Sequence, residues 1–422
     1  MMPNMKHNKC IVVGGGASGM LAALYAARGG ARVTLLERNE KLGKKLYITG
    51  KGRCNVTNAS DMEQYQRNIF RNPRFLYAAF AQLDNAGMMA LVEDLGTPLK
   101  VERGNRVFPV SDKSSDVIAA LKRGLAGAGV DVRLNTRVTQ LLTEEGCCIG
   151  VVLEDGERLY ADAVILATGG LSYPSTGSTG DGYALAQAAG HTVTPTSPAL
   201  VSIDTLESWP GTLAGLTLKN VTLTAYLAGG KKEKRLYSQM GELLFTHTGI
   251  SGPLALTLSS LLPEDLSAVQ ISIDLKPALD TQTLDARLLR DFRELSRKQL
   301  SSVVDGLAPR SLSEQLIRLA GLSPTMPVNA VTAPQRAALL KVIKGIELHP
   351  RGLGSFNEAV VTRGGVNVKE INPSTMQSRR LKNLYFCGEL LDVDAATGGF
   401  NLQIAFSTGA LAGASAAAMT DG

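Results

Sequence analysis

Gly14, Gly16 and Gly19 follow the β-branched run Cys10 to Val13 and lead into Ala17 to Ala27, where small and apolar residues recur at helical spacing. Glycine at the first position permits a tight turn. At the second it lets a ligand approach bare backbone, and at the third it lets helix and strand pack closely; amides at the helix head then offer donors and positive potential to a pyrophosphate. Gly14, Gly16, Ala17, Ser18 and Gly19 are therefore candidate phosphate-binding residues. A second β-branched run, Arg32 to Leu36, ends at Glu37, a carboxylate placed to accept ribose hydroxyls, with Arg38 beside it. This fingerprint calls for an adenine dinucleotide and does not choose between NAD and FAD.

Three later features favour FAD. Ala163 to Leu166 reads as a buried strand that closes in Ala167-Thr168-Gly169-Gly170, where small residues let backbone pass a cofactor. Near the end of the sequence Gly388-Glu389 closes another strand, and Asp392 is followed by Gly398-Gly399-Phe400-Asn401 at a helix head, which can stabilise negative charge on a reduced flavin. No second G-x-G-x-x-G follows a strand, so NADH or NADPH would be a transient donor visiting from the substrate face. Val138 completes the candidate cofactor residues read along this half of the chain.

Flavin chemistry asks the protein for positioning, exclusion of water and one proton donor or acceptor. His247, in Phe245-Thr246-His247-Thr248-Gly249, and Tyr173, after the Gly169-Gly170 turn, are the candidate catalytic residues, each equally readable as a structural side chain. Gly50-Lys51-Gly52-Arg53-Cys54-Asn55 offers amides and an Arg fork to phosphate, or is a turn with an incidental Arg. Asp181 in Gly180-Asp181-Gly182 is accounted for by a helix dipole and is not taken as catalytic. Five cysteines without C-x-x-C spacing and four scattered histidines point to no disulfide framework and no metal site. Cys54, Cys387 and the Cys147-Cys148 pair read as packing.

The elements that must position these groups begin with a β-α-β unit. Val130 to Leu134, Val138 to Leu142, Cys148 to Leu153 and Arg158 to Tyr160 suggest a small antiparallel meander. Residues from about Ala199 to Ile273 read as strands and turns, and those from about Thr281 to Ile346 as amphipathic helix, with capping boxes Ser311/Glu314 and Thr332/Gln335. Leu384 to Cys387 is a last strand. The expected fold is α/β: a glutathione-reductase-type Rossmann FAD-binding domain from 1–195 and 350–422, an inserted β-rich lobe at 196–275 and a small helical lobe at 276–349. The net charge of +6 is scattered, and its one dense run, Lys231 to Arg235, reads as a solvated hairpin tip, so no stable nucleic-acid partner is expected. No apolar run suggests a membrane span or signal segment, and the cytoplasm is the expected location.

The chain resembles the BaiN-type (YhiN-type) bacterial flavoproteins. The likeness is carried by VVGGGASG (Val12 to Gly19), GKKLYITGKGRCNVTN (Gly43 to Asn58), STGSTGDGYALAQAAGH (Ser175 to His191), LLFTHTGISGP (Leu243 to Pro253) and GELLDVDAATGGFNLQIAFSTG (Gly388 to Gly409). It implies that Lys44, Lys45, Arg53, Asn55 and Thr57 form a second FAD-contacting loop, to which Gly52 adds a closely approaching amide, and that Asn401, Leu402 and Gln403 lie at the isoalloxazine turn. Ala395 and Lys51 stand where such proteins commonly have Gly. The resemblance also implies an FAD-dependent oxidoreductase in which NAD(P)H drives reduction of an enone-like C=C bond of a small molecule. An amine oxidase producing peroxide, and a non-catalytic flavin- or RNA-binding module, are the alternatives.

Overall fold

Residues 8–228 and 234–418 are described by a computed structural model, and the chain divides into two units, residues 1–199 with 356–422, and residues 200–355. The first unit is built on a parallel sheet, and its elements appear where apolar β-branched runs alternate with helix formers. Strand β1 (Lys9–Val13) leads to helix α1 (Ala17–Arg28) and strand β2 (Arg32–Leu36); β3 (Asp131–Arg133) and β4 (Ala163–Leu166) follow. Helix α2 (Asp181–Ala188), strand β5 (Leu384–Phe386) and helix α3 (Phe400–Ala417) complete the frame. The strand order is β5-β4-β1-β2-β3, all parallel. Every residue of β4 is buried, which is why it reads as an uninterrupted apolar run rather than an alternating one.

The main helix contact joins α1 and α3 through small residues. Side chains at Gly409 and Gly413 would overlap the carbonyls of Ser18 and Ala22, so the four-residue spacing of these glycines lets the two backbones approach directly. The short strand expected to open the antiparallel meander instead joins the parallel sheet as β3, paired to β2 (Leu35 with Val132). Its length fits either sheet, and the pairing is decided by the distant β2. Val138–Glu144, Cys147–Leu153 and Arg158–Tyr160 do form the antiparallel meander. The apolar stretch Pro73–Asp94 is broken into the short helices Pro73–Leu76, Tyr77–Gln82 and Asn85–Asp94, with Leu76, Ala79, Phe80, Met88 and Val92 buried.

The second unit holds a seven-stranded sheet and four amphipathic helices over one apolar core. Thr217–Leu227 and Lys234–Phe245 pair antiparallel at its centre. The Lys231 to Arg235 hairpin tip lies largely outside the described residues, which resume at Lys234. Within the stretch read as strands and turns, Gly252–Ser259 is a helix, with Pro253 in its first turn. Helices Thr281–Glu294, Leu300–Val304, Arg310–Leu319 and Ala333–Lys344 follow. The Thr332/Gln335 capping box is present, Gln335 Oε1 accepting from the Thr332 amide at 2.9 Å. The Ser311/Glu314 box is not. That helix begins after Pro309, which puts Ser311 inside its first turn, while Glu314 pairs with Arg318 at 3.4 Å.

Candidate active site

The three glycines of the β1–α1 turn meet three different surroundings. Gly14 has φ of 105° and a side chain there would lie 2.6 Å from the Ala167 carbonyl oxygen, so the turn needs glycine both for its left-handed backbone and for its approach to β4. A side chain on Gly19 would overlap the Gly14 carbonyl. Gly16, at the head of α1, has nothing within 4 Å of the place a Cβ would take: it opens onto a cleft. Gly14, Gly16, Ala17 and Ser18 line this cleft, which encloses about 1370 Å³ including its mouth, while Gly19 packs behind it.

At one end the cleft reaches the ends of β2 and α2. Glu37 is buried, its Oε2 accepting from the Gly15 amide (2.7 Å) and its Oε1 from the Asn39 amide and side chain (2.8 Å each). Beside it, Arg38 and Arg137 each donate to the Asp181 carboxylate at 3.0 Å, and Thr179 adds a hydrogen bond at 2.9 Å. Burial works to raise the Asp181 carboxyl, but the Arg137 and Thr179 hydrogen bonds and the Arg38 charge hold it below the usual carboxylate range. Thr136 and Val138 complete this end.

At the other end stand Lys45, Thr49, Val360, Val361, Val393, Asn401 and Leu402. Lys45 Nζ donates to Glu389 Oε2 and to Ser172 Oγ, both at 2.6 Å; Ser172 also bonds Glu389 Oε1, which accepts the Thr362 amide at 2.8 Å. Burial acts to raise the Glu389 carboxyl, yet Lys45, Ser172 and the Thr362 amide hold it low and ionised. Asn401 clamps the preceding loop: its Oδ1 accepts from the Ala395 amide, and its Nδ2 donates to the Ala395 and Ala396 carbonyls.

Most residues expected at the cofactor line this cleft, including Arg38, Lys44, Ala167, Thr168, Gly169 and Gly388. Several do not. Arg53 is no free phosphate fork: its guanidinium bonds Glu102 and Asp112 (2.6 Å to the latter) and stacks on Phe108, because β-hairpin Leu99–Glu102 and Arg106–Pro109 brings those partners under the turn. Thr57 bonds Tyr65 and Gln403, and Gln403, on α3 itself, is buried against the Leu83 carbonyl and Ser407, so neither side chain lines the cleft. Asp392 also lies outside the lining. Gly52 and Asn55 belong to a turn in which Lys51 and Cys54 hold left-handed φ of 59° and 58°, unusual for non-glycine residues. Cys54 and Cys387 are fully buried thiols raised to about 12 by desolvation, as inert packing residues should be.

Tyr173 is not in the lining; it holds a left-handed turn (φ 51°) with its amide on the Phe356 carbonyl. His247 belongs to the second unit, in the loop between Lys234–Phe245 and Gly249–Ser251, where its carbonyl lies against Gly211. Asn39, Thr136, Arg137, Asp181, Val360 and Val361 line the cleft without having been picked out as site residues. Only Asp181, acidic at a helix head, left a trace in sequence; the others owe their places to pairing between distant strands.

An open helix head, a carboxylate at the end of the second strand and a long cleft running to a second helix head suit a dinucleotide with an extended second half. This is the site of a Rossmann-type flavoprotein. The HI0933-like protein Rossmann domain family matches residues 8–415, and the chain belongs to that family. It is similar to the 3-dehydro-bile acid delta(4,6)-reductase of Clostridium scindens, at 34% identity over 97% of this chain and 99% of the relative. It is also similar to the ribosomal RNA dihydrouridine synthase of Escherichia coli, at 30% identity over 96% of each. In fold it is similar to the 3-ketosteroid-delta4-(5alpha)-dehydrogenase of Rhodococcus jostii RHA1, with a TM-score of 0.50 at 16% identity, covering 99% of both chains. The protein is an FAD-dependent oxidoreductase.

Proposed function

We propose that the protein uses electrons from NADH or NADPH to saturate a C=C bond conjugated to a carbonyl. The observation that carries this reading is the full-length likeness to a relative whose name describes reduction of such bonds in a 3-dehydro-bile acid. When bound, the flavin supplies hydride. The protein's residues supply the rest. Amides at the head of α1, from Gly14 to Ser18, hold the pyrophosphate, and Glu37 with Arg38 the adenosine half. Lys45, paired with the part-buried Glu389, would face the flavin half together with Asn401 and Leu402 at the head of α3. The apolar wall of Val360, Val361 and Val393 keeps water from the reacting bond.

A second reading shares the chemistry and changes the substrate. The C5=C6 bond of uracil is itself conjugated to a carbonyl, and two relatives at 30% identity are named as ribosomal RNA dihydrouridine synthases. To test the electron donor, the holoprotein is mixed anaerobically with NADH, NADPH and a panel of small amines. Bleaching of the flavin by a nicotinamide is expected; bleaching by an amine alone would overturn the reductase reading in favour of an oxidase.

A further inference from the structure

Three cations line the end of the cleft where β2 stops, and each is already matched by a carboxylate. Arg38 Nη1 lies 3.0 Å from Asp181 Oδ2 and 2.6 Å from Thr179 Oγ1. Arg137 donates through Nε to the same Asp181 oxygen at 3.0 Å, through Nη2 to Oδ1 at 3.4 Å, and through Nη1 to Glu154 at 2.9 Å. Lys44 pairs with Glu40 at 3.2 Å. Asp181 thus joins two guanidinium groups from separate segments, one following β2 and one preceding strand Val138–Glu144. Both of its oxygens are engaged by Arg38, Arg137 and Thr179, so this carboxylate does more than complement the dipole of α2. Glu37, Asp181, Glu40 and Glu154 set four carboxylates against these three cations, and among the described residues lining this end no cation is in surplus.

A carboxylate at the end of the second strand of a β-α-β unit accepts the free ribose hydroxyls of an adenosine, whereas an arginine beside it takes a phosphate on the 2′-oxygen. Glu37 and Arg38, neighbours in sequence, provide both groups. We propose that Asp181 decides between them: by engaging Arg38 and Arg137 it reserves this end of the cleft for an adenosine with a free ribose, as in FAD, and turns away one that carries a 2′-phosphate, as in NADPH. This rests on the reading that places the adenosine half of the cofactor beside Glu37. The Asp181 carboxyl is held below the usual carboxylate range against the effect of burial, so its charge is present at neutral pH. A 2′-phosphate entering here meets the carboxylates of Glu37 and Asp181, and to gain either arginine it must displace a carboxylate that already holds it. A nicotinamide donor therefore finds no phosphate pocket in the cleft that FAD occupies. Asp181 acts through the arginines and is a positioning residue.

The test uses the full-length chain freed of FAD and shown to rebind it. Two probes that differ only in the phosphate, ADP-ribose and 2′-phospho-ADP-ribose, are each measured as competitors of FAD rebinding, followed by quenching of flavin fluorescence. The parent should prefer ADP-ribose by about tenfold or more. The side chains of Asp181, Arg38 and Arg137 are 26%, 33% and 40% exposed, so solvent screens the charge, and Asp181→Asn should move the ratio toward the 2′-phosphate by about tenfold. At about 1 M salt that shift should vanish. Asp181→Glu should restore the parent's ratio, and adding Arg38→Gln to Asp181→Asn should remove most of the gain. A role in folding alone would weaken both probes alike and leave the ratio unmoved. If neither probe competes with FAD, the adenosine half is not beside Glu37 and the proposal falls with that reading. If ADP-ribose competes but the parent takes both probes equally, or Asp181→Asn keeps the parent's ratio, the placement of the adenosine stands and the proposal alone is overturned.

Discussion

Gly16 separates cofactor binding from folding more cleanly than any other residue of the site. Its φ of −81° is open to every residue type, and a Cβ there meets nothing within 4 Å, so Gly16→Glu should change stability by no more than about 1 kcal/mol. The new carboxylate, however, would stand where the pyrophosphate is placed. Two like charges about 4 Å apart in a partly buried site repel by about 4 kcal/mol, which corresponds to roughly a thousandfold loss of FAD affinity. Urea unfolding of the apoprotein measures the first quantity, and titration of the apoprotein into FAD, followed by quenching of flavin fluorescence, measures the second. Gly19→Ala is the opposite control. Its methyl would overlap the Gly14 carbonyl, and the apoprotein should lose about 1–3 kcal/mol or more before any cofactor is added. If Gly16→Glu is as stable as the parent and binds FAD within tenfold of it, the pyrophosphate is not at the head of α1 and the assignment of the cleft fails.

Other expectations follow from charge and capping. Lys45→Met leaves Glu389 as a part-buried carboxylate without its cation and should cost about 1–2 kcal/mol at neutral pH. Because the Glu389 carboxyl is held low in the folded parent, its stabilisation is present above the unfolded value and lost as pH falls; in Lys45→Met that loss should begin at higher pH, visible in thermal unfolding against pH. Asp394 is raised instead, so its contribution is fully present below its unfolded value and lost as pH rises towards about 7. Asp394→Asn should therefore gain stability over the parent at pH 8 relative to pH 5, by about 2–3 kcal/mol in denaturant titrations. Thr332→Ala should cost about 1 kcal/mol by opening a capping box, whereas Ser311→Ala, inside a helix, should stay within about 0.5 kcal/mol; equal losses would contradict the capping assignment.

What the sequence discloses is what local pattern dictates. The β1–α1–β2 unit is legible because a β-branched run, three spaced glycines and a terminal Glu37 each act within one short segment. The core strand β4 is legible because burial on both faces leaves a continuous apolar run. Strand β3 is misread because three residues carry too little periodicity, and its partner β2 lies some hundred residues earlier. Arg53 is paired and lies outside the cleft lining for the same kind of reason: nothing near it in sequence announces Glu102 and Asp112. Arg137 and Asp181, or Arg71 and Asp394, become constellations only through long-range pairing. Motifs thus disclose the turn at the head of the cleft, while these charged pairs are set by tertiary contacts.

The proposed reaction turns on which bond the reduced flavin saturates. The holoprotein is reduced anaerobically with one equivalent of dithionite and then given, in separate cells, conjugated ketones such as 4-androstene-3,17-dione, and a ribosomal RNA transcript. At least one of them should return the flavin to its oxidised spectrum and yield one saturated bond per flavin. A flavin that stays reduced in every cell and reoxidises only when air is admitted would contradict the proposed reaction.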